Sequence, residues 1–254
     1  MKKLLPLKIS ISAWTIALLA SLLFSILRLF GRIKVKGLDW KKIREMRERS
    51  KSGGIAIVSN HPSMFETLVL PTLFFPRSLF SWKNMPVSTP DIHFFNSWWF
   101  AVFRWACIPI PRGHAGGEGR AALTMKDHLS KGGSLVVFAE GGRTYKGSPD
   151  EMLFSKTCAR IRPFKTGLAS VFEKSDSVIL PAWTEGGEKI IPNAEHKGSK
   201  RSLSFPRLWG KMTIDFGEPF LFNSLPEIKR MTCLEQRVFA VADYVKQGRR
   251  KALI

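Results

Sequence analysis

The sequence predicts an α/β fold, in which helices flank a central sheet of mostly parallel or mixed strands. Three observations lead to this class. Compact apolar runs of strand length recur along the chain, segments with helical patterns separate them, and polar residues follow several runs directly. Strands buried on both faces read as continuous apolar runs, and their alternation with helices is typical of parallel sheets.

Six segments are predicted as strands, and the first of them is the shortest. Their bounds are Ile33–Lys36, Ile55–Ser59, Cys107–Pro111, Ser134–Ala139, Val178–Trp183 and Met212–Phe216. Because no internal repeat and no clear linker divides them, residues 33–254 are predicted to form one domain.

The helices are predicted from capping residues and helix breakers. Asp39 can cap a charged helix over Trp40–Arg49. Pro62 suits a helix start and Pro76 a helix end, which predicts a helix from about Ser63 to Phe75. Further helical patterns cover Glu118–Ser130, Lys165–Phe172 and Pro226–Gln247.

Residues 1–32 are predicted to form a membrane-associated helix. The run Ile9–Leu27 has 19 residues without a formal charge, with lysines before it and basic residues after it. A helix of that length just reaches across a bilayer core of about 30 Å. A polar stripe along its second half favours a helix lying in the interface as much as one that spans, and an ordinary core helix is the weaker alternative. The stripe consists of Ser21, Ser25, Arg28 and Arg32.

Charge is the strongest bias in the composition. The 254 residues include 40 Lys and Arg against 20 Asp and Glu, a formal net charge of +20. A hydrophobic content of 44% with 19 Phe excludes a disordered chain, and the low Gly and Cys counts exclude collagen-like and disulfide-framework proteins. The charge predicts an anionic partner, and by itself leaves nucleic acid, a membrane surface and a phosphorylated substrate open.

The three cysteines, Cys107, Cys158 and Cys233, are far apart and form no CxxC pair. They are therefore predicted to be reduced thiols, buried or half-buried, rather than metal ligands or a redox pair. We expect no metal site.

The first reactive cluster runs from Asn60 to Glu66, directly after the strand Ile55–Ser59. Open α/β sheets place their sites after strand ends, and a histidine oriented by a nearby carboxylate can act as a general base. On an ideal helix, a five-residue step separates two side chains by about 140°. His61 and Glu66 can therefore meet only if His61 lies on the loop before the helix. Taken alone, the pair is weak evidence for a catalytic site, since a histidine in this position is more commonly a capping or core residue.

Two further clusters carry cations at turns. Arg112 follows a proline turn and offers a guanidinium suited to bidentate contact with phosphate. Farther along, Glu140 and Arg143 are separated by Gly141 and Gly142. The two glycines let the backbone come close to a ligand. Glu140 could then accept a hydrogen bond from a hydroxyl of that ligand, and Arg143 could bind an anionic group on it.

In order and spacing, these clusters resemble the lysophospholipid acyltransferases, the bacterial 1-acyl-sn-glycerol-3-phosphate acyltransferases in particular. The resemblance covers most of the chain, from Gly31 to about Pro219. The segment His61–Glu66 matches the family's His-x4-Asp block, with Glu in place of Asp, and Ile108–Arg112 is similar to its proline–arginine block.

The third block also departs from the family pattern. Phe138–Thr144 is similar to the family's Phe-Pro-Glu-Gly-Thr-Arg-Ser, with Ala139 in place of Pro and Gly142 in place of Thr. The remaining family pieces follow in order at Phe164–Gly167 and Val178–Ala182.

The resemblance implies acyl transfer from an acyl-carrier protein or CoA thioester to the free hydroxyl of lysophosphatidic acid, giving phosphatidic acid in phospholipid biosynthesis. It implies that His61 is the general base and that Glu66 stabilises the imidazolium, with no acyl-enzyme and no cofactor. It implies an enzyme on the cytoplasmic side of the inner membrane, with residues 33–254 as the catalytic domain. The implied contacts to the phosphate head are Arg112, Glu140, Gly141, Arg143, Lys83 and Lys165, and Pro181 would shape the acyl side.

Three alternatives stay open. The acceptor could be another lysolipid, amino-acid-containing or zwitterionic, and the Glu66 and Gly142 departures also fit an inactive membrane-associated relative. The third alternative, a basic nucleic-acid-binding protein, is disfavoured because the sequence has no helix-turn-helix, zinc-finger or RNA-recognition signature. We therefore expect an anionic membrane surface and a lysophospholipid as partners, and no nucleic acid.

Overall fold

The structure is a computed structural model that describes residues 18–74, 86–97, 104, 106–113, 115–146, 148–192, 207 and 209–251. The described strands are β1 Ile33–Lys36, β2 Ile55–Ser59, β3 Pro86–Ser88, β4 Ser134–Phe138, β5 Leu153–Phe154, β6 Arg160–Ile161, β7 Val178–Glu185, β8 Met212–Phe216 and β9 Phe220–Leu221. The described helices are α1 over residues 18–29, α2 Trp40–Arg49, α3 Glu66–Thr72, α4 Ile92–Phe95, α5 Ala115–Ser130, α6 Gly167–Ser175, α7 Gly187–Ile190 and α8 Arg230–Lys251.

Seven of the described strands form one sheet, in the order β1-β8-β7-β2-β4-β3, with β9 paired to β7. Strand β2 lies parallel to both β4 and β7, and the pairs β3–β4 and β1–β8 are parallel as well. The pairs of β7 with β8 and with β9 are antiparallel, so β8, β9 and β1 run opposite to β7. The predicted α/β class with a mostly parallel sheet is confirmed.

The register of the central strands brings two of the predicted clusters together. Ser59 at the end of β2 pairs with Phe138 at the end of β4. Because parallel strands end at the same edge of a sheet, the segments that begin at Asn60 and Ala139 leave the sheet side by side. The site therefore forms where β2 and β4 stop.

The sheet separates two hydrophobic layers, which explains why β2 is buried along its whole length. Ile55 and Ile57 pack on the face covered by α1, α2 and α3. Ala56 and Val58 pack on the opposite face, against α5, α6 and α8. A strand buried on both faces needs apolar residues at every position, and the run Ile55–Val58 supplies them.

Pro181 occupies the middle of β7, a position that proline rarely takes in a central strand. Its lack of an N–H is tolerated because the antiparallel partners of β7 change there. Strand β9 pairs with Val178 and Ile179, and β8 pairs from Ala182 onward. At the break between them, the Gly217 N–H donates to the Pro181 carbonyl at 2.8 Å.

Two predicted elements differ in the structure. The predicted strand Cys107–Pro111 forms only isolated bridges, from Cys107 to Ser88 and from Ile110 to Asp91, because two prolines remove ladder donors. The short strand β3, which the sequence analysis did not predict, pairs with β4 instead. Helix α3 begins at Glu66 rather than near Ser63, since the preceding residues form a hydrogen-bonded turn.

Helix α1 packs through one face, on the same side of the sheet as α2 and α3. Phe24 and Leu27 are buried, and the Phe24 ring meets the Phe65 ring edge-on with centroids 5.6 Å apart. Residues 1–17 of the predicted membrane helix lie outside the described residues, and the boundary predicted at residue 32 stays a prediction. Across the described segments, no helix is both long enough and apolar enough to span a bilayer.

Candidate active site

The turn between β2 and α3 holds His61 and Glu66 against each other. His61 Nδ1 lies 2.8 Å from Glu66 Oε1. The same carboxylate accepts from the Ser63 N–H at Oε1 and from the Ser63 hydroxyl at Oε2, both at 2.6 Å. Ser63 Oγ in turn accepts from the Phe65 N–H at 3.0 Å. The glutamate thus reaches back across the start of its own helix, as in a capping box, and meets the imidazole there.

This contact settles which ring nitrogen of His61 is available for chemistry. Because the Glu66 carboxylate only accepts, Nδ1 carries the proton toward it, and Nε2 keeps its lone pair. The Glu66 side chain is fully buried, whereas 11% of the His61 side chain is exposed. The imidazole therefore has an edge open to solvent, while the carboxylate lies behind it inside the protein. The Phe138 ring stacks on the imidazole, with centroids 4.3 Å apart and 23° between the planes.

Glu140 supports the His61 turn from the neighbouring strand. Its Oε1 accepts from the His61 backbone N–H at 2.8 Å and from the Thr144 hydroxyl at 2.7 Å, and its Oε2 accepts from the Arg162 N–H at 2.9 Å. The side chain is fully buried. Burial raises the pKa of the Glu140 carboxyl above its ordinary value, although these hydrogen bonds lower it part of the way. Both oxygens are occupied inside the protein, so this burial does not support the predicted contact of Glu140 with substrate.

Two residues that the sequence analysis did not single out fix the ends of the turn. The Asn60 side chain donates to the Thr184 carbonyl at 2.9 Å and accepts from the Thr184 N–H at 2.8 Å. Through these two hydrogen bonds, the Asn60 side chain continues the pairing of β2 with β7 beyond the end of β2. The Thr144 N–H donates to the His61 carbonyl at 2.8 Å. Ser63 could have been found from the Ser63-x-x-Glu66 capping signature, but Thr144 carries no such signal.

Cationic side chains gather over the glycines that follow β4. Gly141 has a φ of +66°, and a Cβ there would come within 2.8 Å of the Lys165 side chain. A Cβ on Gly142 would lie 2.7 Å from Arg162 Nη1 and 3.8 Å from Arg112 Nη1. The structure therefore brings Arg112 and Lys165 to the loop beside His61 and adds Arg162, which the sequence analysis missed.

The other predicted contacts are placed differently. The Arg143 guanidinium lies over the Tyr145 ring, 5.0 Å from its centroid. Pro181 is buried inside β7 among core residues, which gives no support to the predicted acyl-side role. Lys83 lies outside the described residues.

In the parts of the chain that the structure describes, no group of three His, Cys, Asp or Glu side chains is placed to hold a metal ion. Cys107 and Cys233 are half-buried as predicted, but Cys158 is exposed, which corrects its predicted burial. Burial raises the pKa of the Cys107 thiol to about 12. That thiol stays protonated near neutral pH and is a poor nucleophile.

A comparison with models of protein families identifies the family of this chain. The model of the acyltransferase family matches residues 41–185, more than half of the chain. The chain belongs to the acyltransferase family. The matched region contains β2, the His61 turn, β4 with its glycine loop, and β7, which together build the site described above. A comparison with curated proteins finds no match.

In this acyltransferase, Gly187 makes room for the Glu66 side chain. A Cβ on Gly187 would lie 2.6 Å from Ser63 Oγ and 2.9 Å from Glu66 Oε2. The bare glycine at the start of α7 therefore leaves space for this acid and its serine partner.

Replacing Gly187 with alanine should displace the Ser63–Glu66 pair and lower kcat by roughly tenfold, because a few tenths of an ångström matter in a catalytic hydrogen bond. The backbone there is not in the left-handed region, so the effect comes from the Cβ alone. Gly167→Ala, at a helix position with open space, is the matched control and should keep its activity. Equal kcat values for the two variants would contradict this packing role.

The raised pKa of Glu140 predicts a pH-dependent contribution to stability. The folded chain holds this proton at a higher pH than the unfolded chain, so the contribution is fully present below the ordinary Glu pKa. It is lost as the pH rises through the raised pKa. The variant Glu140→Gln stays neutral, and the unfolding free energy of the wild type relative to this variant should therefore fall as the pH is raised from the ordinary Glu pKa through the raised pKa. Denaturant titrations across that range would refute the prediction if the difference stays constant or grows.

Proposed function

We propose that this acyltransferase moves a fatty acyl group from an acyl-carrier protein or CoA thioester to the free hydroxyl of lysophosphatidic acid. The product would be phosphatidic acid, which places the enzyme in phospholipid biosynthesis. The observation that carries the proposal is the 2.8 Å contact of His61 Nδ1 with the buried Glu66 carboxylate, next to a loop lined by cations.

The geometry supports a direct transfer with His61 as the general base. His61 Nε2 takes the proton of the acceptor hydroxyl as its oxygen attacks the thioester carbonyl carbon. The tetrahedral intermediate then expels the thiolate, which receives the proton back from the imidazolium. Glu66 stabilises the positive charge of the imidazolium between these two steps, and its burial strengthens that effect. The scheme needs no nucleophilic Ser or Cys and no metal or cofactor.

The acceptor phosphate would lie over the Gly141–Gly142 loop. Arg112 and Lys165 reach this loop, and guanidinium groups bind phosphate through paired N–H donors. Arg143, which follows in the chain, is the third predicted contact.

The proposed acceptor is tested by giving the purified full-length protein several lysolipids with each of the two thioester donors. We expect phosphatidic acid from lysophosphatidic acid as the main product by lipid mass spectrometry. Faster acylation of an amino-acid-containing or zwitterionic lysolipid would overturn the acceptor while leaving acyl transfer intact. No acylated lipid from any pair would favour an inactive relative, and salt-dependent retention on DNA in that case would favour a nucleic-acid binder.

We also propose that α1 holds the enzyme on an anionic membrane, with the catalytic domain on the cytoplasmic side of the inner membrane. Seven apolar residues of this helix and its end are 42–83% exposed, namely Leu18, Leu19, Leu22, Leu23, Ile26, Leu29 and Phe30. Arg28, Lys34 and Lys36 are exposed close to them. An apolar face edged by basic residues suits the interface of an anionic bilayer, where the proposed acceptor resides.

Charging this face should release the enzyme from vesicles. Leu22 and Leu29 are seven residues apart and so share one side of α1. The double variant Leu22→Asp/Leu29→Asp should lower binding to phosphatidylglycerol vesicles by at least about tenfold, because each exposed leucine loses its burial in lipid. The control Leu123→Asp/Ile228→Asp makes the same charge change at apolar residues exposed elsewhere. Equal loss of binding in both double variants would show that net charge, not this face, holds the protein.

A further inference from the structure

We propose that Arg162 determines acceptor specificity by forming, with Arg112, a paired-guanidinium site that selects lysolipids ending in a phosphate monoester over phosphodiester lysolipids. This inference rests on the proposed acyl transfer and names a residue and a charge preference for the same site. Three features of the structure support it: the space beside Gly142, the position of Arg162, and the charge of the side chains around the glycine loop.

The space is supplied by Gly142. A Cβ at this residue would lie 2.7 Å from Arg162 Nη1, closer than real Cβ contacts allow. The Arg162 guanidinium thus occupies the volume that a side chain at residue 142 would take. The same point is 3.8 Å from Arg112 Nη1, so two guanidinium groups converge above one bare stretch of backbone.

The position follows from Glu140. The Arg162 N–H donates to Glu140 Oε2, while the other oxygen of that carboxylate accepts from the His61 N–H. One buried side chain therefore ties the backbone of Arg162 to the backbone of the general base. Arg162 follows directly on β6, and this strand end directs the residue toward the glycine loop.

The charge at this surface is unbalanced. Arg112 has Asp91 as a partner, with its Nε 3.4 Å from Oδ2. Among the residues that the structure describes, the half-buried Arg162 guanidinium has neither a hydrogen-bond acceptor nor an acidic partner. With Lys165 against Gly141, three cationic side chains lie around the loop, and the half-buried Asp91 pairs with only one of them, Arg112. An anionic ligand is the partner that this arrangement lacks.

A phosphate monoester satisfies this arrangement better than a diester does. The monoester carries a charge of about −1.5 to −2 at neutral pH and offers three terminal oxygens, enough for two guanidinium groups at once. A diester lysolipid carries one negative charge, and its second ester group takes the place of an oxygen. Arg162 would then be desolvated without a full partner, which is how a site discriminates between two ligands.

Two variants test this by independent means. Arg162→Gln removes the charge, and Gly142→Thr keeps the charge but places a Cβ where the guanidinium now lies. Lys174→Gln, at an exposed position of α6, is the control for loss of one positive charge. Each protein is assayed with lysophosphatidic acid and with lysophosphatidylglycerol, and its affinity for a short-chain, water-soluble lysophosphatidic acid is measured by calorimetry.

We expect both site variants to raise KM for lysophosphatidic acid by roughly tenfold, with kcat changed little, and to weaken calorimetric binding to the same extent. Their ratio of kcat/KM between monoester and diester should fall about tenfold, and Lys174→Gln should match the wild type. If kcat/KM falls equally for both acceptors, or changes for neither, Arg162 has no role in selecting the acceptor and the inference is wrong. If the wild type binds the short-chain lipid through Arg162 but never acylates it, the proposed function fails and the binding site stands.

Discussion

Replacing His61 with alanine is expected to lower kcat for acyl transfer by roughly a thousandfold, which is the size of effect that general-base catalysis supplies. Nδ1 of this ring is engaged by Glu66, and its exposed edge is the part of the pair that substrate can reach. Without the imidazole, the acceptor hydroxyl must lose its proton to water as it attacks. KM should change little, because the cations over the glycine loop remain in place.

The control for this variant is His93→Ala, since His93 is exposed on the short helix α4. We expect it to retain the activity of the wild type. Thermal unfolding of both variants separates lost chemistry from lost structure, because the His61 ring also stacks on Phe138. Undiminished turnover in folded His61→Ala would contradict the mechanism.

Replacing Glu66 with glutamine is expected to lower kcat by at least about a hundredfold, although the size of the side chain is kept. The carboxylate accepts from His61 and Ser63 through three separate contacts. An amide can place only one oxygen among these donors, so its NH₂ group must face a second donor or turn the imidazole to the wrong tautomer. The misplaced donor should also lower the free energy of unfolding by about 1–3 kcal/mol.

The variant Glu66→Asp separates the effect of the negative charge from the effect of side-chain length. It keeps the charge but is one methylene shorter, so it cannot hold both His61 and Ser63 at their present distances. We expect kcat between those of the wild type and Glu66→Gln, measured with the same donor and acceptor. If Glu66→Gln were as active as the wild type, Glu66 would be a helix-capping residue with no part in catalysis.

Several elements were predicted from the sequence because one local property determines each of them. Helix α2 has the predicted bounds, and the Asp39 side chain accepts from the N–H groups of Lys41 and Lys42 as a cap should. Strand β2 also has the predicted bounds, since burial on both faces demands an unbroken apolar run. The His61–Glu66 contact was predicted on the condition that His61 lies on the loop before the helix, and the structure meets that condition.

The errors arise where distant parts of the chain decide the local structure. Cys107–Pro111 is apolar and strand-like, but its prolines allow only isolated bridges. Pro86–Ser88 forms the edge strand of the sheet instead and pairs with β4. The burial of Glu140 was also not predicted from its glycine loop, and its role as a substrate contact stays a prediction. The partners that bury it include the backbone of Arg162, 22 residues away.

Arg162 was missed for a related reason. An arginine beside a proline carries no motif of its own, and its position depends on the missing side chain of Gly142. Only the folded chain shows that these two residues share one volume. The departure of Gly142 from the family pattern was visible in the sequence, but its consequence for Arg162, twenty residues farther along the chain, was not.

The central claim is that His61 acts as a general base in a direct transfer and never carries the acyl group. Intact-protein and lipid mass spectrometry on the same quenched sample tests it most directly. Wild-type protein mixed with acyl thioester alone should keep its unmodified mass, and adding lysophosphatidic acid should move the acyl group onto the lipid hydroxyl. An acyl adduct on the wild-type protein that is absent from His61→Ala and disappears when the acceptor is added would contradict the mechanism.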